Sequence, residues 1–144
     1  MTQAFASING KIGADPADYV EVLVNEIFLS VKAIDPHKRE NVDNYTYQGE
    51  SVQVAPVDVS SNAPGAVEAS AFKADTVKPA VLAQTMAAAP GDSTVENGTV
   101  EFVMVKKAMA NQDQPGIQID IKGPRASKMV HYDLTGKLLE VTQG

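Results

Sequence analysis

The sequence has no cysteine, no tryptophan and only two histidines, and aromatic residues make up 6% of it. Without cysteine there is neither a disulfide framework nor a thiolate metal site, so redox chemistry says nothing about the compartment. Positive charge is scarce as well. Twelve Lys and Arg stand against 18 Asp and Glu, a net charge of -6. That balance disfavours tight, sequence-independent nucleic-acid binding, which needs Lys and Arg to neutralise phosphates, and it favours solubility. No apolar run approaches the roughly 20 residues of a membrane-spanning helix. The opening stretch MTQAFASINGKIG lacks a basic segment followed by an apolar one. The expectation is therefore no secretory leader and synthesis in the cytoplasm.

Motifs are missing too. Neither G-x-G-x-x-G nor G-x-x-x-x-G-K-[ST] occurs, so no glycine loop cradles a phosphate. No G-x-S-x-G elbow presents a serine nucleophile, and Ser60, Ser61 and Ser127 read as ordinary loop serines. His37 lies in a cationic loop and His131 in a predicted strand. Neither has a Cys or a second His at ligand spacing, which favours surface or structural roles over metal binding or base catalysis. Asp113, Asp120 and Asp133 do not fit a calcium loop. Glu21 and Glu26 do not share a helix face, so paired acid–base work has poor support. Lys106, Lys107, Lys122, Arg125 and Lys128 are the basic concentration, read as solvated strand edges that discourage edge-to-edge pairing. The expectation is no enzyme, no catalytic residue, no metal and no cofactor.

What is present suits one domain, residues 1–144. Its longest apolar segment is Tyr19–Ile34, YVEVLVNEIFLSVKAI. Val20, Leu23, Val24, Ile27, Val31 and Ile34 fall on one face at helical spacing. Asp15 suits the N-cap, Pro16 the first helical position, and Asp35-Pro36 a stop. The spacing predicts a helix. The rival reading is a strand, because the segment is rich in β-branched residues and Val20, Val22 and Val24 alternate, with parity changing after Asn25. Phe28 and Leu29 lie off the main stripe and imply a second buried face.

Elsewhere, Asn9-Gly10 signals a hairpin or a plain turn. Tyr45 and Tyr47 fall on one side of an extended segment. SVQVAPVDV (51–59) reads as an edge or bulged strand, since Pro56 cannot donate to a central ladder. Residues 60–98, rich in Ala, Ser, Pro and Gly, read as an extended arm or long loop, with a short helix possible over Pro79–Ala89 ended by Pro90-Gly91. Asn111–Gly116 reads as a turn. Thr99–Met109 is strand-prone, and Ile117, Ile119 and Ile121 alternate cleanly with polar residues. A hairpin forms around Thr135-Gly136, its register open between facing Tyr132 with Leu139 and a type I turn with Gly136 left-handed. No period of 20–50 residues repeats.

The fold expected is α+β: one N-terminal helix packed on a mainly antiparallel sheet from the C-terminal third, with a long extended middle. The alternative is an all-β sandwich or barrel. The functional expectation is a structural subunit of a large symmetric assembly, a virion component such as a phage capsid, cement or decoration protein, resident in the virion. It rests on the missing catalytic constellation, the missing cysteine, the small-residue-rich middle and the β-rich end. The alternative is a cytoplasmic protein-binding or adaptor module that grips its partner through residues 45–98. Expected partners are other copies of the chain and other assembly subunits, with no specific nucleic acid, membrane or small-molecule substrate. Phe28, Leu29, Tyr45, Tyr47 and Phe72 are the interface candidates.

Overall fold

The computed structural model describes residues 1–107 and 114–144. Helix α1 (Thr2–Ile12) opens the chain, and Ala4, Phe5, Ile8 and Ile12 form its buried stripe. It ends at Gly13, whose φ of 80° is left-handed and whose N–H donates to the Asn9 carbonyl. Asn9-Gly10 thus lies inside a helix. The apolar stripe, once buried, outweighs the local turn preference of two residues.

The segment expected as a helix is two strands, β1 (Asp18–Val24) and β2 (Leu29–Ile34). The parity change after Asn25 marks the link between them, and the β-branched content decides for extended backbone. Asp15 and Pro16 lie in the connection between α1 and β1 and cap no helix. Next come β3 (Val42–Gln48), β4 (Ser51–Val57), the short helix α2 (Ala66–Ser70), β5 (Phe72–Lys73) and a 3-10 turn at Ala74–Thr76. Helix α3 (Pro79–Ser93) is followed by β6 (Thr99–Lys106), β7 (Gly116–Lys122), β8 (Ser127–Asp133) and β9 (Leu138–Gln143). Among the described residues, nine strands dominate and their pairings are antiparallel. The single-helix α+β expectation with a long extended middle is overturned, and the sheet-dominated molecule fits the all-β alternative. The middle fails as an extended arm because Leu82, Thr85, Ala89 and Ser93 recur at helical spacing and are buried. Pro90-Gly91 does not stop α3, because Ala89 and Ser93 carry its buried face on to a left-handed Thr94.

The chain divides into two compact units, residues 1–23 with 27–76, and residues 24–26 with 77–144. In the first, the strands run in the order β4-β3-β2-β1, with β5 on β1. Leu29, Val31 and Ala33, at 4, 0 and 0% exposure, face α1. Their partners across the pair are Tyr47, Tyr45 and Asp43. The Phe5 and Tyr19 rings stack at 6.5 Å, and Phe72 meets Tyr19 edge-on at 6.2 Å. The Tyr19 hydroxyl donates to Asn9 Oδ1, tying sheet to helix. β4 is the edge strand, with Pro56 opposite Asp43, as the missing N–H requires. Asp18 binds Lys73 at 2.8 Å and Arg39 at 3.0 Å, and Arg39 makes a two-pronged pair with Glu68. This cluster fastens α2 and β5 to β1. Partial burial pushes the Asp18 carboxyl up, but hydrogen bonds and charge from Lys73 and Arg39 win, and its pKa falls below the ordinary 3.8.

In the second unit the strands run β6-β7-β8-β9 and α3 lies against the first three. Val103, Val105, Ile117, Ile119, Ile121 and Val130 are buried to 1% exposure or less. The Tyr132 hydroxyl donates to Asp92 Oδ2 of α3 at 2.7 Å. Burial, then Asp92, raise its pKa above the ordinary 10.0. At the open hairpin, Gly136 takes a φ of 92° and Asp133 accepts from Thr135 and Lys137 backbone N–H groups. Val130 faces Val141, but Tyr132 faces Leu138, and the register shift leaves Leu139 as the extra residue. Glycine accepts the left-handed position and so selects the turn, and the bulge then reconciles it with the apolar pairing.

Both units are a helix followed by a four-stranded antiparallel meander. Buried helix positions correspond between them: Ala4 with Thr85, Ile8 with Ala89, Ile12 with Ser93, and the left-handed caps Gly13 with Thr94. Buried Val22 corresponds with Val103. Each pair lies about 80 residues apart, beyond the short periods of solenoid repeats.

Candidate functional site

The face of the first unit's sheet turned away from α1 carries a groove of about 400 Å³. Alternation builds it on β2 and β3, where residues between core positions point the other way, and on β1 the buried positions shift parity between Tyr19 and Val22, which leaves Glu21 and Leu23 for the groove. β1 contributes Glu21 and Leu23, β2 contributes Ser30 and Lys32, and β3 contributes Asn44, Thr46 and Gln48. Phe28, in the β1–β2 link, closes one side and is half-buried. Antiparallel pairing sets Ser30 opposite Thr46 and Lys32 opposite Asn44.

Those side chains hold one another. Ser30 Oγ donates to Asn44 Oδ1 at 2.7 Å, and Asn44 Nδ2 donates to Thr46 Oγ1 at 3.4 Å. Lys32 pairs with Glu21 at 3.1 Å. The groove therefore offers hydroxyl and amide groups already fixed in direction, and its two charges neutralise each other. Such an array is suited to recognition by hydrogen bonds, with Leu23 and Phe28 supplying apolar surface.

Of the interface candidates, Phe28 lines this groove. Leu29, Tyr45 and Phe72 lie on the helix side at 4, 6 and 6% exposure, and Tyr47 shares that face half-buried. The groove's polar residues were not foreseen, because a helical reading of 19–34 hides the alternation. The signal was there: Ser30 and Lys32 interleave with Leu29, Val31 and Ala33, and Asn44 and Thr46 with Tyr45 and Tyr47.

The remaining candidates are dispersed. The His37 backbone N–H donates to Asp35 Oδ1 at 2.8 Å in an exposed turn. His131 is 7% exposed, with Nε2 3.1 Å from Thr142 Oγ1, while Nδ1 has no hydrogen-bond partner among the described residues. Asp120 accepts from Gln118 Nε2 at 2.9 Å. Asp133 organises its turn, and hydrogen bonds, first from Thr135, hold its pKa below the ordinary value. Asp113 lies outside the described residues. Among the described residues no group of three or more His, Asp or Glu side chains is placed to hold a metal ion. Glu21 is engaged with Lys32, and Glu26 is exposed. Lys128 donates to Thr94 Oγ1 at 3.2 Å. Arg125 lines a second cavity of about 400 Å³, between residues 95–97 and 124–126 of the second unit. Its rim residues Glu96, Asn97 and Arg125 are exposed, whereas the groove's Ser30, Asn44 and Thr46 are tied to one another by hydrogen bonds.

No family model matches the sequence, and no curated protein matches it. Among solved structures, the chain is similar to the crystal structure of "a putative lipoprotein" from Clostridium difficile 630, with a TM-score of 0.71 and 18% identity, over 99% of this chain and 91% of that one. At that identity the likeness shows the fold alone.

Proposed function

We propose that this protein is a binding module that acts without chemistry of its own, with the open face of the first unit's sheet as its recognition surface. The observation that carries this reading is the groove's fixed hydrogen-bonding ladder, Ser30 to Asn44 to Thr46, beside a self-neutralised ion pair. Polar side chains ordered before a ligand arrives lose less entropy on binding than free ones. The assembly-subunit reading drew one of its four supports from an extended arm over residues 60–98, part of which is helix α3. The adaptor reading drew on the same stretch, residues 45–98, and the surface proposed here lies instead at residues 21–48.

The absence of cysteine makes the test direct, since one introduced thiol is unique. An environment-sensitive dye on Ser51→Cys, exposed and paired opposite Gln48 at the end of the groove, is titrated with a panel of oligosaccharides and random-sequence peptides. The same dye on Ser127→Cys, exposed in the second unit, serves as control. A saturable response at Ser51 that Ser127 does not show is expected. Silence at Ser51 across the whole panel, or equal responses at both positions, removes the reading.

A further inference from the structure

We infer that the groove of the first unit takes a neutral polyhydroxylated ligand, an oligosaccharide chain in particular, with Phe28 as its apolar platform. This deepens the binding-module reading and rests on it. The protein carries -6, yet the groove's two charges, Glu21 and Lys32, are spent on each other at 3.1 Å. A partner recognised through charge would find little uncompensated here, and engaging either ion would break the pair. A neutral partner loses nothing by this arrangement.

Hydrogen-bonding capacity points the same way. A hydroxyl both donates and accepts, and an amide offers two N–H groups and two lone pairs. Ser30, Asn44 and Thr46 use part of that capacity to orient one another. What is left over is a mixed set: the second Asn44 N–H, the Thr46 hydroxyl proton and the whole amide of exposed Gln48. A surface that both donates and accepts at closely spaced points matches vicinal hydroxyls, which do the same. An extended peptide would instead seek a free strand edge for its backbone, and the groove lies on a sheet face. Sugar rings also present a C–H face, and an aromatic ring at the side of a polar groove receives it. A volume of about 400 Å³ is within the range of small-ligand sites, roughly 300–1,000 Å³, so two or three sugar residues would occupy it.

The test titrates the full chain with chitohexaose, cellohexaose and maltohexaose, followed by calorimetry and by the Ser51→Cys dye. A sulfated heparin hexasaccharide and a random-sequence peptide pool form the other arms. At least one neutral hexasaccharide is expected to saturate below about 1 mM. Thr46→Val and Gln48→Ala are each expected to weaken it about tenfold, the size of one lost hydrogen bond. Leu138→Ser, on β9 in the second unit, leaves it unchanged. Phe28→Ala is expected to weaken it more, and because that change could disturb the β1–β2 link, its melting temperature is recorded alongside. The two polar variants decide the question if Phe28→Ala unfolds. Binding of peptide alone, or of the sulfated saccharide alone, overturns the saccharide inference and leaves the module reading standing. Saccharide binding untouched by Thr46→Val and Gln48→Ala also overturns it. No response in any arm removes both.

Discussion

At the scale of single residues, two tyrosine hydroxyls and a few wholly buried aliphatic side chains hold α1 and α3 on their strands. Ile8 and Ile119 are both 0% exposed. Truncating either to Ala leaves a cavity as well as losing transfer free energy, at a cost of about 2–5 kcal/mol, read from the denaturant midpoint. Tyr19 is more informative. Burial pushes its hydroxyl up to about 12, with the Asn9 hydrogen bond pulling partly back. The ordinary value is 10.0, so the unfolded chain loses this proton first, and stability falls as pH rises from 10.0 through about 12. Tyr19→Phe should lower the alkaline slope of stability against pH by about one proton, roughly 1.4 kcal/mol per pH unit. Tyr45 and Tyr132, raised in the same direction, keep part of the slope. Asp18 has the opposite sign. Its depressed pKa means its contribution is full above the ordinary 3.8 and disappears as pH falls through the lower folded value. Asp18→Asn should flatten the acid limb of the same titration.

At the scale of elements, the clearest lesson is the exchange of roles between residues 1–13 and 19–34. Asn9-Gly10 carries the strongest hairpin signal in the sequence and sits in a helix. Tyr19–Ile34 carries a full helical stripe and forms two strands. Short apolar runs satisfy both periods, and the backbone they adopt is settled by the neighbour that covers them. A paired substitution separates the alternatives. A Cβ added at Gly10 meets nothing within 4 Å, whereas Gly13 has a φ of 80°. Gly10→Ala should stabilise by about 0.5–1 kcal/mol, as Ala does inside a helix, and Gly13→Ala should destabilise by about 1 kcal/mol. A hairpin at Asn9-Gly10 would make Gly10→Ala destabilising, and thermal melting shows which holds. The C-terminal strands were legible for a physical reason. Ile117, Ile119 and Ile121 alternate with Gln118, Asp120 and Lys122, and no helical stripe competes with them. The edge at β9 exposes Leu138, Leu139 and Val141 at 43, 38 and 37%. The Leu139 bulge breaks its regularity, which guards an edge against pairing.

At the scale of the whole molecule, the helix-plus-meander pattern occurs twice, and residue identity conceals it. Ile8 answers to Ala89 and Ile12 to Ser93: burial recurs while chemistry does not. Ser93 tolerates its burial because its hydroxyl donates to the Pro90 carbonyl at 2.7 Å and accepts from the Val95 N–H. The net charge of -6 belongs to this scale as well. Duplex DNA at physiological salt should leave the protein unshifted in an electrophoretic assay. Ligand binding in the neutral groove should change less than about twofold between low and high salt, because screening acts on uncompensated charge. A steep salt dependence would place the binding surface elsewhere.

Composition alone determined that no disulfide or thiolate site exists in this sequence. Local chemistry alone determined the Ile117–Ile121 strand and a hairpin at Thr135-Gly136, and it limited Pro56 to an edge or a bulge. These features depend on residue counts, on a φ that only certain residues accept, or on an N–H that proline lacks, and none requires knowing what lies alongside. Tertiary structure decided the rest. Burial against Tyr19 and the β2–β4 strands made a helix of residues 2–12. Pairing with β3 made a strand of Leu29–Ile34, and with it turned Ser30, Lys32, Asn44 and Thr46 onto one open face. A groove built from three strands exists only once their register is set, and register is a property of pairs of strands that no single segment contains.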